Sequence, residues 1–298
     1  MKPAQDSVRV TLKHILFLTD FSEPSDCALQ FACSVAREFG AEVHALHVLV
    51  PQVLPYTSPE AMAGIAAGEE AAACQMARVD SQLAGVNHET SLMRGSDVWT
   101  TVERAATACS ADLIVLGTHG RTGAQKLLLG SVAEQVFRKS RVPVFTVGPL
   151  ARSGLHGAAR FRRVLCATDF SAEAAAAVPL ALSVAQENQA KLVLLHVIPT
   201  KSEREAPLQP AMSIADAMHQ LLSLVPPEAE SWCHPEPVVQ YGPPAERILA
   251  EAQGRHADLI VLGVRSPEKH AGLATHFSRS VAYHVVAHAP CPVLTVRA

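Results

Sequence analysis

An internal duplication constrains the fold of this chain more than any other sequence feature. The segment HILFLTDFS at residues 14–22 returns as RVLCATDFS at residues 163–171, and ADLIVLG occurs at both 111–117 and 257–263. ALHV and LLHV, and later PVFTV and PVLTV, follow in the same order in the two halves. Four matches in one order indicate two tandem copies of one structural unit.

The duplication also divides the chain. Its 298 residues suit two domains of about 150 residues each. Between the copies, the segment GPLARSGLHGAAR lacks apolar periodicity and is rich in Gly, Ala and Arg, which predicts a linker. We therefore expect a first domain at residues 1–148, a linker at 149–160 and a second domain at 161–298.

Short apolar runs alternate with helical patterns in each copy. Strands are predicted at residues 15–19, 43–50, 89–93, 113–116 and 144–147, and again at 163–167, 191–198, 237–240, 259–262 and 293–296. Such alternation predicts an α/β fold class, with two tandem Rossmann-like or flavodoxin-like domains, each a five-stranded parallel sheet with helices on both faces. Ligands of these sheets bind beyond the carboxyl ends of the strands, where the strand order reverses.

Charge and cysteine content exclude several classes of protein. The formal net charge of −3 makes no electrostatic case for nucleic-acid binding. The seven cysteines form no C-x-x-C pair, so we expect free thiols in a reducing compartment. No apolar run approaches about 20 residues, and the N-terminal segment has no apolar signal core. We therefore expect a cytoplasmic protein with no membrane association.

The strongest chemical motif follows the fourth predicted strand. It reads GTHG at residues 117–120, then nine residues, then Gly130 and Ser131. Glycines let main-chain N–H groups approach an anion with no Cβ in the way. Ser131 is expected to open a helix in a capping box with Glu134, and the free N–H groups of a helix start suit a phosphate. Asp20, at the end of the first strand, is placed to accept hydrogen bonds from a ribose or base edge.

Taken together, these motifs resemble the universal stress protein family. The resemblance rests on TDFS after the first strand, LHV in the second, and G-x-x-G-x9-G-S after ADLIVLG, and it covers nearly the whole chain as two copies. It implies a five-stranded parallel α/β sandwich, binding of ATP or ADP in many members, and association through the last strand of the sheet. For this chain it implies pairing of the two last strands within the molecule, and a homodimer of four domains.

The resemblance further implies a set of nucleotide contacts at strand ends and in the glycine loop. They are Thr19, Asp20 and Val48 for the adenine and ribose, Leu116 and Gly117 for the ribose side, and His119, Gly120, Gly130, Ser131 and Val132 for the phosphates. Ala133 stands where the family often has Thr or Ser, so one phosphate hydroxyl is missing.

The second copy departs from this pattern in its loop. Arg265 and Ser266 stand where the first copy has the histidine and glycine of its loop, Arg279 stands at the position of Gly130, and three residues are inserted. An arginine at a close-approach glycine position is expected to obstruct the phosphates. We therefore expect that this half does not bind ATP in the family's manner, although Asp169 and Val197 remain.

Three functions are consistent with the sequence. The leading hypothesis is an ATP-binding stress-response or signalling protein in which the nucleotide is an effector, because no catalytic base or nucleophile is evident near the loop. The second is a slow ATPase or self-phosphorylating enzyme that uses Mg²⁺ with His119 or Ser131, although the Walker pattern G-x-x-x-x-G-K-[ST] is absent. The third is an interaction protein with vestigial sites, bound to an unknown protein partner.

Single residues also carry structural alternatives. Asp20 could cap the helix that begins near Ser22, and His119 could be a solvent-exposed loop residue. His47 and its counterpart in the second copy are expected to be structural. His284 and His288 have the i, i+4 spacing of metal ligands but no acidic partner in an H-E-x-x-H pattern, so no protein metal site and no catalytic residue is assigned.

Overall fold

The computed structural model describes residues 11–51, 58–118, 129–151, 161–199, 212–231, 233, 235–265 and 280–297. Within these ranges the elements of the first half are β1 (His14–Leu18), α1 (Glu23–Phe39), β2 (Glu42–Leu49), α2 (Pro59–Gln82), β3 (His88–Arg94), α3 (Val98–Ala108), β4 (Leu113–Gly117), α4 (Ser131–Lys139) and β5 (Val144–Val147). Those of the second half are β6 (Arg163–Thr168), α5 (Ala172–Asn188), β7 (Lys191–Pro199), α6 (Ile214–Ser223), β8 (Glu236–Gly242), α7 (Pro244–Gly254), β9 (Leu259–Gly263), α8 (Val281–His288) and β10 (Val293–Val296).

All ten described strands lie in one continuous sheet, in the order β3-β2-β1-β4-β5-β10-β9-β6-β7-β8. Neighbouring strands within each half are parallel. The order 3-2-1-4-5 selects the Rossmann-like of the two predicted arrangements, and the strand order reverses between β1 and β4. The carboxyl ends of β1 and β4 therefore form the predicted ligand position.

The two halves meet at their last strands, which confirms the pairing expected within the chain. β5 and β10 are antiparallel, with Phe145 opposite Leu294. The Thr146 Oγ1 hydroxyl donates to the carbonyl oxygen of Val293 at 3.1 Å, and the Thr295 hydroxyl donates to that of Val144 at 3.2 Å. These reciprocal bonds reflect a pseudo-two-fold relation between the copies. The last strand of each copy covers the sheet edge that the other copy would leave open.

Hydrophobic packing continues across this junction on both faces of the sheet. On the face that carries α1 and α5, the ring centroids of Phe31 and Phe145 are 5.7 Å apart, and Phe161 of the second half lies 6.2 Å from Phe145. On the other face, Leu129 and Phe137 of the first half pack into the core of the second half. The two copies thus share their cores instead of meeting through a polar interface.

Local sequence signals account for the ends of α1. The Ser22 Oγ accepts a hydrogen bond from the Ser25 N–H, and Pro24 occupies the first turn, where its missing N–H costs nothing. Gly40 ends the helix with a φ of 66°, a left-handed conformation that favours glycine.

The predicted strands all occur, within one or two residues of their expected bounds. One local prediction is wrong: Ser131 and Glu134 form no capping box, because Gly130 is the N-cap of α4 and the Glu134 N–H donates to the Gly130 carbonyl at 2.8 Å. The seven cysteines are free thiols in this structure. Among the described helices, none has the length and apolar character needed to cross a membrane.

Candidate functional site

The carboxyl end of β1 leads into a tight turn that positions Thr19 and Asp20. The Asp20 Oδ1 accepts hydrogen bonds from the Ser22 N–H at 3.1 Å and from the Ser22 hydroxyl at 2.5 Å. The Thr19 hydroxyl oxygen accepts from the Phe21 N–H at 3.0 Å and from the Ser25 hydroxyl at 2.9 Å. Asp20 therefore organises the start of α1, which is the structural alternative considered for it, and it does so at the switch point of the sheet.

An aromatic residue in a left-handed conformation lies at the centre of this turn. Phe21 has a φ of 62°, and its ring centroid lies 4.3 Å from that of His47. The His47 Nδ1 in turn lies 2.7 Å from the Thr19 carbonyl oxygen. A positive φ is costly for an aromatic residue, so the surrounding contacts must hold it there.

The same turn recurs in the second copy with nearly the same geometry. Phe170 also has a φ of 62°, and its ring centroid lies 4.3 Å from that of His196. The His196 Nδ1 lies 2.9 Å from the Thr168 carbonyl oxygen. Because both copies build this arrangement, the structural role expected for His47 and His196 is confirmed.

Gly117, at the end of β4, faces the first turn of α1. A Cβ at this position would lie 3.0 Å from the backbone carbonyl carbon and oxygen of Pro24, closer than ordinary van der Waals contact. Gly263, its counterpart, is crowded more severely, since a Cβ there would lie 2.2 Å from the Glu173 carbonyl oxygen. Close approach of a helix to the strand end, and not a positive φ, is therefore the reason for glycine at both positions.

The start of α4 lies beside this strand end. The Gly130 N–H donates to the Thr118 carbonyl at 2.8 Å, so the chain that leaves β4 at Thr118 returns next to it. Gly130 adopts an extended conformation as the N-cap and, having no side chain, supplies no cap hydrogen bond to α4. An uncapped helix start carries N–H donors and partial positive charge that suit an anion.

The corresponding helix of the second copy is capped by its own serine. The Ser280 hydroxyl oxygen accepts a hydrogen bond from the Tyr283 N–H at 3.1 Å. Ser131 occupies the matching position in the sequence but is the first residue of α4 instead of its N-cap. The second copy therefore has a serine cap at the start of this helix where the first copy has a glycine N-cap.

An exposed ion pair lies at the switch point of the second copy. The Arg265 Nη2 lies 3.4 Å from the Asp169 Oδ2, and the Asp169 Oδ1 accepts from the Ser171 N–H at 3.0 Å. Burial alone would raise the pKa of Asp169, but the hydrogen bonds from Ser171 and the charge of Arg265 outweigh it and hold the pKa below its ordinary value. Arg265 stands at the loop position that His119 has in the first copy.

The backbone of Arg265 is itself held in place by the end of the chain. The Arg297 Nη1 donates to the Arg265 carbonyl at 2.9 Å, and its Nη2 donates to the carbonyl of Phe137 in α4. Burial lowers the pKa of Arg297 to about 10. This guanidinium links the loop of the second copy to a helix of the first.

The structure brings most of the expected nucleotide contacts to one edge of the sheet. Thr19 and Leu116 are buried, and Val48 is half-buried at the end of β2. Asp20, Gly117, Gly130, Ser131 and Val132 complete the group. His119 and Gly120 lie outside the described residues, as do Ser266 and Arg279 of the second copy. Ala133 is buried against the core that lies under α3 and α4.

The histidine pair on α8 is a packing arrangement in this structure. The rings of His284 and His288 stack with centroids 4.2 Å apart, and the His288 Nδ1 lies 2.8 Å from the His284 carbonyl oxygen. Burial and the charge on His288 lower the pKa of His284. A different feature, the positive φ of Phe21 and Phe170, was not predicted, because aromatic residues rarely adopt that conformation.

A comparison with family models gives two matches in this chain. The model described as the universal stress protein family matches residues 11–148 and again residues 160–297. The two matched ranges correspond to the two halves of the sheet, and together they span most of the chain.

Similar proteins and structures agree with these matches. A universal stress protein of Methanocaldococcus jannaschii is 36% identical over 141 residues, which cover 45% of this chain and 81% of that protein. One from Thermus aquaticus is 33% identical over 146 residues, covering 46% of this chain and 99% of its own length. The crystal structure of a universal stress protein from Archaeoglobus fulgidus is similar with a TM-score of 0.72 at 23% identity, and the alignment covers 95% of this chain and 98% of that one.

Proposed function

The chain belongs to the universal stress protein family, and from this membership we propose that its first half binds ATP or ADP at the switch point between β1 and β4. The observation that carries the proposal is the uncapped start of α4 next to the end of β4. Its first-turn N–H groups face a position where a phosphate gains both hydrogen bonds and the favourable end of the helix dipole. We assign this site to a domain that spans residues 1–148.

Asp20 and Val48 flank the same position from β1 and β2. We propose that Asp20 accepts a hydrogen bond from the ribose while its Oδ1 retains the turn at Ser22. Val48, half-buried at the strand end, offers an apolar surface to the adenine. By the family resemblance, His119 and Gly120 are proposed as further phosphate contacts.

We propose that the second half, residues 161–298, does not bind nucleotide in this way. Two observations support the asymmetry: Ser280 caps α8, and Arg265 pairs with Asp169 where the ribose would lie. A nucleotide would have to break both interactions. The duplicated half then serves as a packing partner for the first.

The bound nucleotide is proposed to act as an effector, not as a substrate. The sequence contains no Walker lysine motif. The described carboxylate at the site, Asp20, holds the Ser22 N–H and hydroxyl through Oδ1 and is proposed to meet the ribose, which assigns it a binding role and not that of a general base. Bound ATP would alter a surface for a partner in a stress-response or signalling role.

Equilibrium titration with ATP tests this function. The full chain is expected to bind one ATP, and Gly130→Arg, which introduces the residue that the second copy carries, is expected to abolish binding. Arg279→Ala is the matched control in the second copy and should leave the affinity and the stoichiometry unchanged. Absence of binding by the unmodified chain, or unimpaired binding by Gly130→Arg, would refute the proposal.

A further inference from the structure

Three potential metal ligands converge at the amino ends of β1 and β2, at the opposite end of the strands from the proposed nucleotide site. They are His14, Glu42 and His44, and their ligand atoms all lie within 4.8 Å of one another. The His14 Nδ1 lies 3.4 Å from the His44 Nε2, and each of these nitrogens lies 3.7 Å from the Glu42 Oε2. Two imidazole nitrogens and one carboxylate oxygen thus form a nearly equilateral triangle.

Strand register creates this triangle. His14 lies opposite Glu42 in the parallel pairing of β1 with β2, and His44 follows two residues after Glu42, so it projects from the same face. The Asp112 carboxylate accepts hydrogen bonds from the Lys13 N–H at 2.7 Å and from the His14 N–H at 3.0 Å. This brace fixes the backbone of β1 at its first residue, and the ligands accordingly lie on rigid strands instead of a loop.

The size of the triangle matches one face of a tetrahedral zinc site. Zinc binds His nitrogen and carboxylate oxygen at about 2.0–2.2 Å, so neighbouring ligand atoms of a tetrahedron lie about 3.3–3.6 Å apart. The observed separations of 3.4 and 3.7 Å need almost no rearrangement to meet that requirement. The side chains of His14, Glu42 and His44 are 35%, 29% and 18% exposed, so an ion and a fourth ligand from water have access.

A second carboxylate lies behind one of the histidines. The Glu89 Oε2, on β3, lies 3.5 Å from the His44 Nδ1, the ring nitrogen that faces away from the triangle. A carboxylate in this place fixes the tautomer of a ligating histidine, so that the other ring nitrogen presents its lone pair to the ion. Glu89 is in register with His44 across β2 and β3.

We infer that His14, Glu42 and His44 bind a divalent transition ion, with Zn²⁺ as the best fit, and that Glu89 positions His44 for this role. The donor set of two imidazoles and one carboxylate suits zinc and disfavours Ca²⁺ and Mg²⁺, which prefer oxygen ligands. The ion would join β1 to β2 at the end of the sheet remote from Asp20.

The second copy offers a natural contrast. The positions that match His14, Glu42 and His44 hold Arg163, Lys191 and Val193, none of which is a zinc ligand at neutral pH. The brace is nevertheless retained, since Asp258 accepts hydrogen bonds from the Arg162 and Arg163 N–H groups. The brace is therefore part of the fold, whereas the triangle belongs to the first half.

Titration of the metal-free full chain tests this inference, with Co²⁺ followed by its visible absorption and Zn²⁺ followed by calorimetry. One site per chain is expected, and Zn²⁺ should raise the melting temperature. His44→Ala should weaken Zn²⁺ binding by more than about 100-fold, because even an outer partner of a ligand is worth about 10- to 100-fold. Glu89→Gln should weaken it by about 10-fold.

Matched variants separate the triangle from other histidines. His284→Ala removes the stacked pair on α8 and should leave the affinity for Zn²⁺ unchanged, and Glu42→Gln provides a second test should His44→Ala fail to fold. Absence of Zn²⁺ binding by the unmodified chain, retention of full affinity in both His44→Ala and Glu42→Gln, or loss of the site in His284→Ala would overturn the inference. ATP binding is measured separately, so either proposal can fail alone.

Discussion

At the residue scale, Asp20 has a structural task that its counterpart Asp169 shares. Both carboxylates accept hydrogen bonds from the N–H and hydroxyl of the serine two residues later, and both support a phenylalanine with a positive φ. They differ in what else they meet, since Asp169 is paired with Arg265. A comparison of the two positions therefore separates the structural role of Asp20 from the proposed binding role.

Asp20→Ala and Asp169→Ala should each destabilise the chain by about 1 kcal/mol, because each removes the acceptor of the serine N–H and hydroxyl. ATP affinity should fall in Asp20→Ala alone. Urea unfolding and ATP titration of both variants measure these effects. Asp20→Asn, which keeps an acceptor for Ser22, is the control for stability; an equal loss of ATP affinity in Asp169→Ala would contradict the assignment.

Gly117 and Gly263 differ in how much room their neighbours leave. Replacement by alanine should cost about 1–3 kcal/mol at Gly263, where the added Cβ would overlap the backbone of α5, and clearly less at Gly117. Thermal or urea denaturation of the two alanine variants gives the comparison. A larger loss of stability for Gly117→Ala than for Gly263→Ala would contradict the closer contact expected at Gly263.

The cysteines should differ in reactivity. Burial raises the pKa of Cys166 to about 12, and burial with the charge on Asp258 raises that of Cys291 to about 12, whereas Cys74 is exposed. A thiol with a raised pKa stays protonated and unreactive at pH 8. Alkylation of the native chain followed by peptide mass spectrometry should label Cys74 and spare Cys166 and Cys291; rapid labelling of Cys166 would contradict its burial.

At the element scale, α4 and α8 are equivalent helices with different starts. Ser280→Ala removes a cap and should destabilise the chain by about 1 kcal/mol, with no effect on ATP binding. Ser131→Ala removes no cap and should leave stability nearly unchanged, but it should weaken ATP by about 10-fold or more if its hydroxyl meets a phosphate. Unfolding curves and ATP-binding curves for both variants test whether one serine serves stability and the other serves ATP binding. A shared loss of stability with unchanged ATP affinity would point to two structural serines.

Most elements could be predicted because their signals are local. Short apolar runs marked the strands, and Ser22, Pro24 and Gly40 marked the ends of α1. The predicted capping box at Ser131 is wrong because Gly130 occupies the N-cap position. The position of Gly130 depends on its hydrogen bond to the Thr118 carbonyl, a contact between residues far apart in the sequence. The triangle of His14, Glu42 and His44 was not predicted for a related reason. A strand pattern shows which residues of one strand share a face, but only the register between strands shows which residues of the next strand lie beside them.

At the scale of the whole molecule, the antiparallel pairing of β5 with β10 joins the two copies into one continuous sheet. Phe31, Phe145 and Phe161 form an aromatic group that crosses the junction, and Asn188 of α5 donates a hydrogen bond to Glu38 of α1. Within the described sheet, β3 and β8 are the remaining edges. Association of two chains into a homodimer of four domains stays a prediction, which light scattering can test.

Shared cores predict cooperative unfolding. Calorimetry of the full chain should show one transition. Unfolding of either half would expose apolar side chains that pack across the junction, among them Phe137 and Phe145 or their partners in the second half. ATP should shift this single transition upward as a whole, although it binds one half. Two well-separated transitions, with ATP moving one of them, would contradict the shared core.

Of the two equivalent positions in the sheet, nucleotide binding is proposed for the first half alone. A crystal structure of the full chain soaked with ATP and Mg²⁺ tests this most directly, because both loops are read in the same molecule. Triphosphate density is expected against the N–H groups of Gly130 and Ser131 in the first half, with the Arg265–Asp169 pair intact and no nucleotide in the second. Nucleotide in the same pose in both halves, or a first half without any, would contradict it.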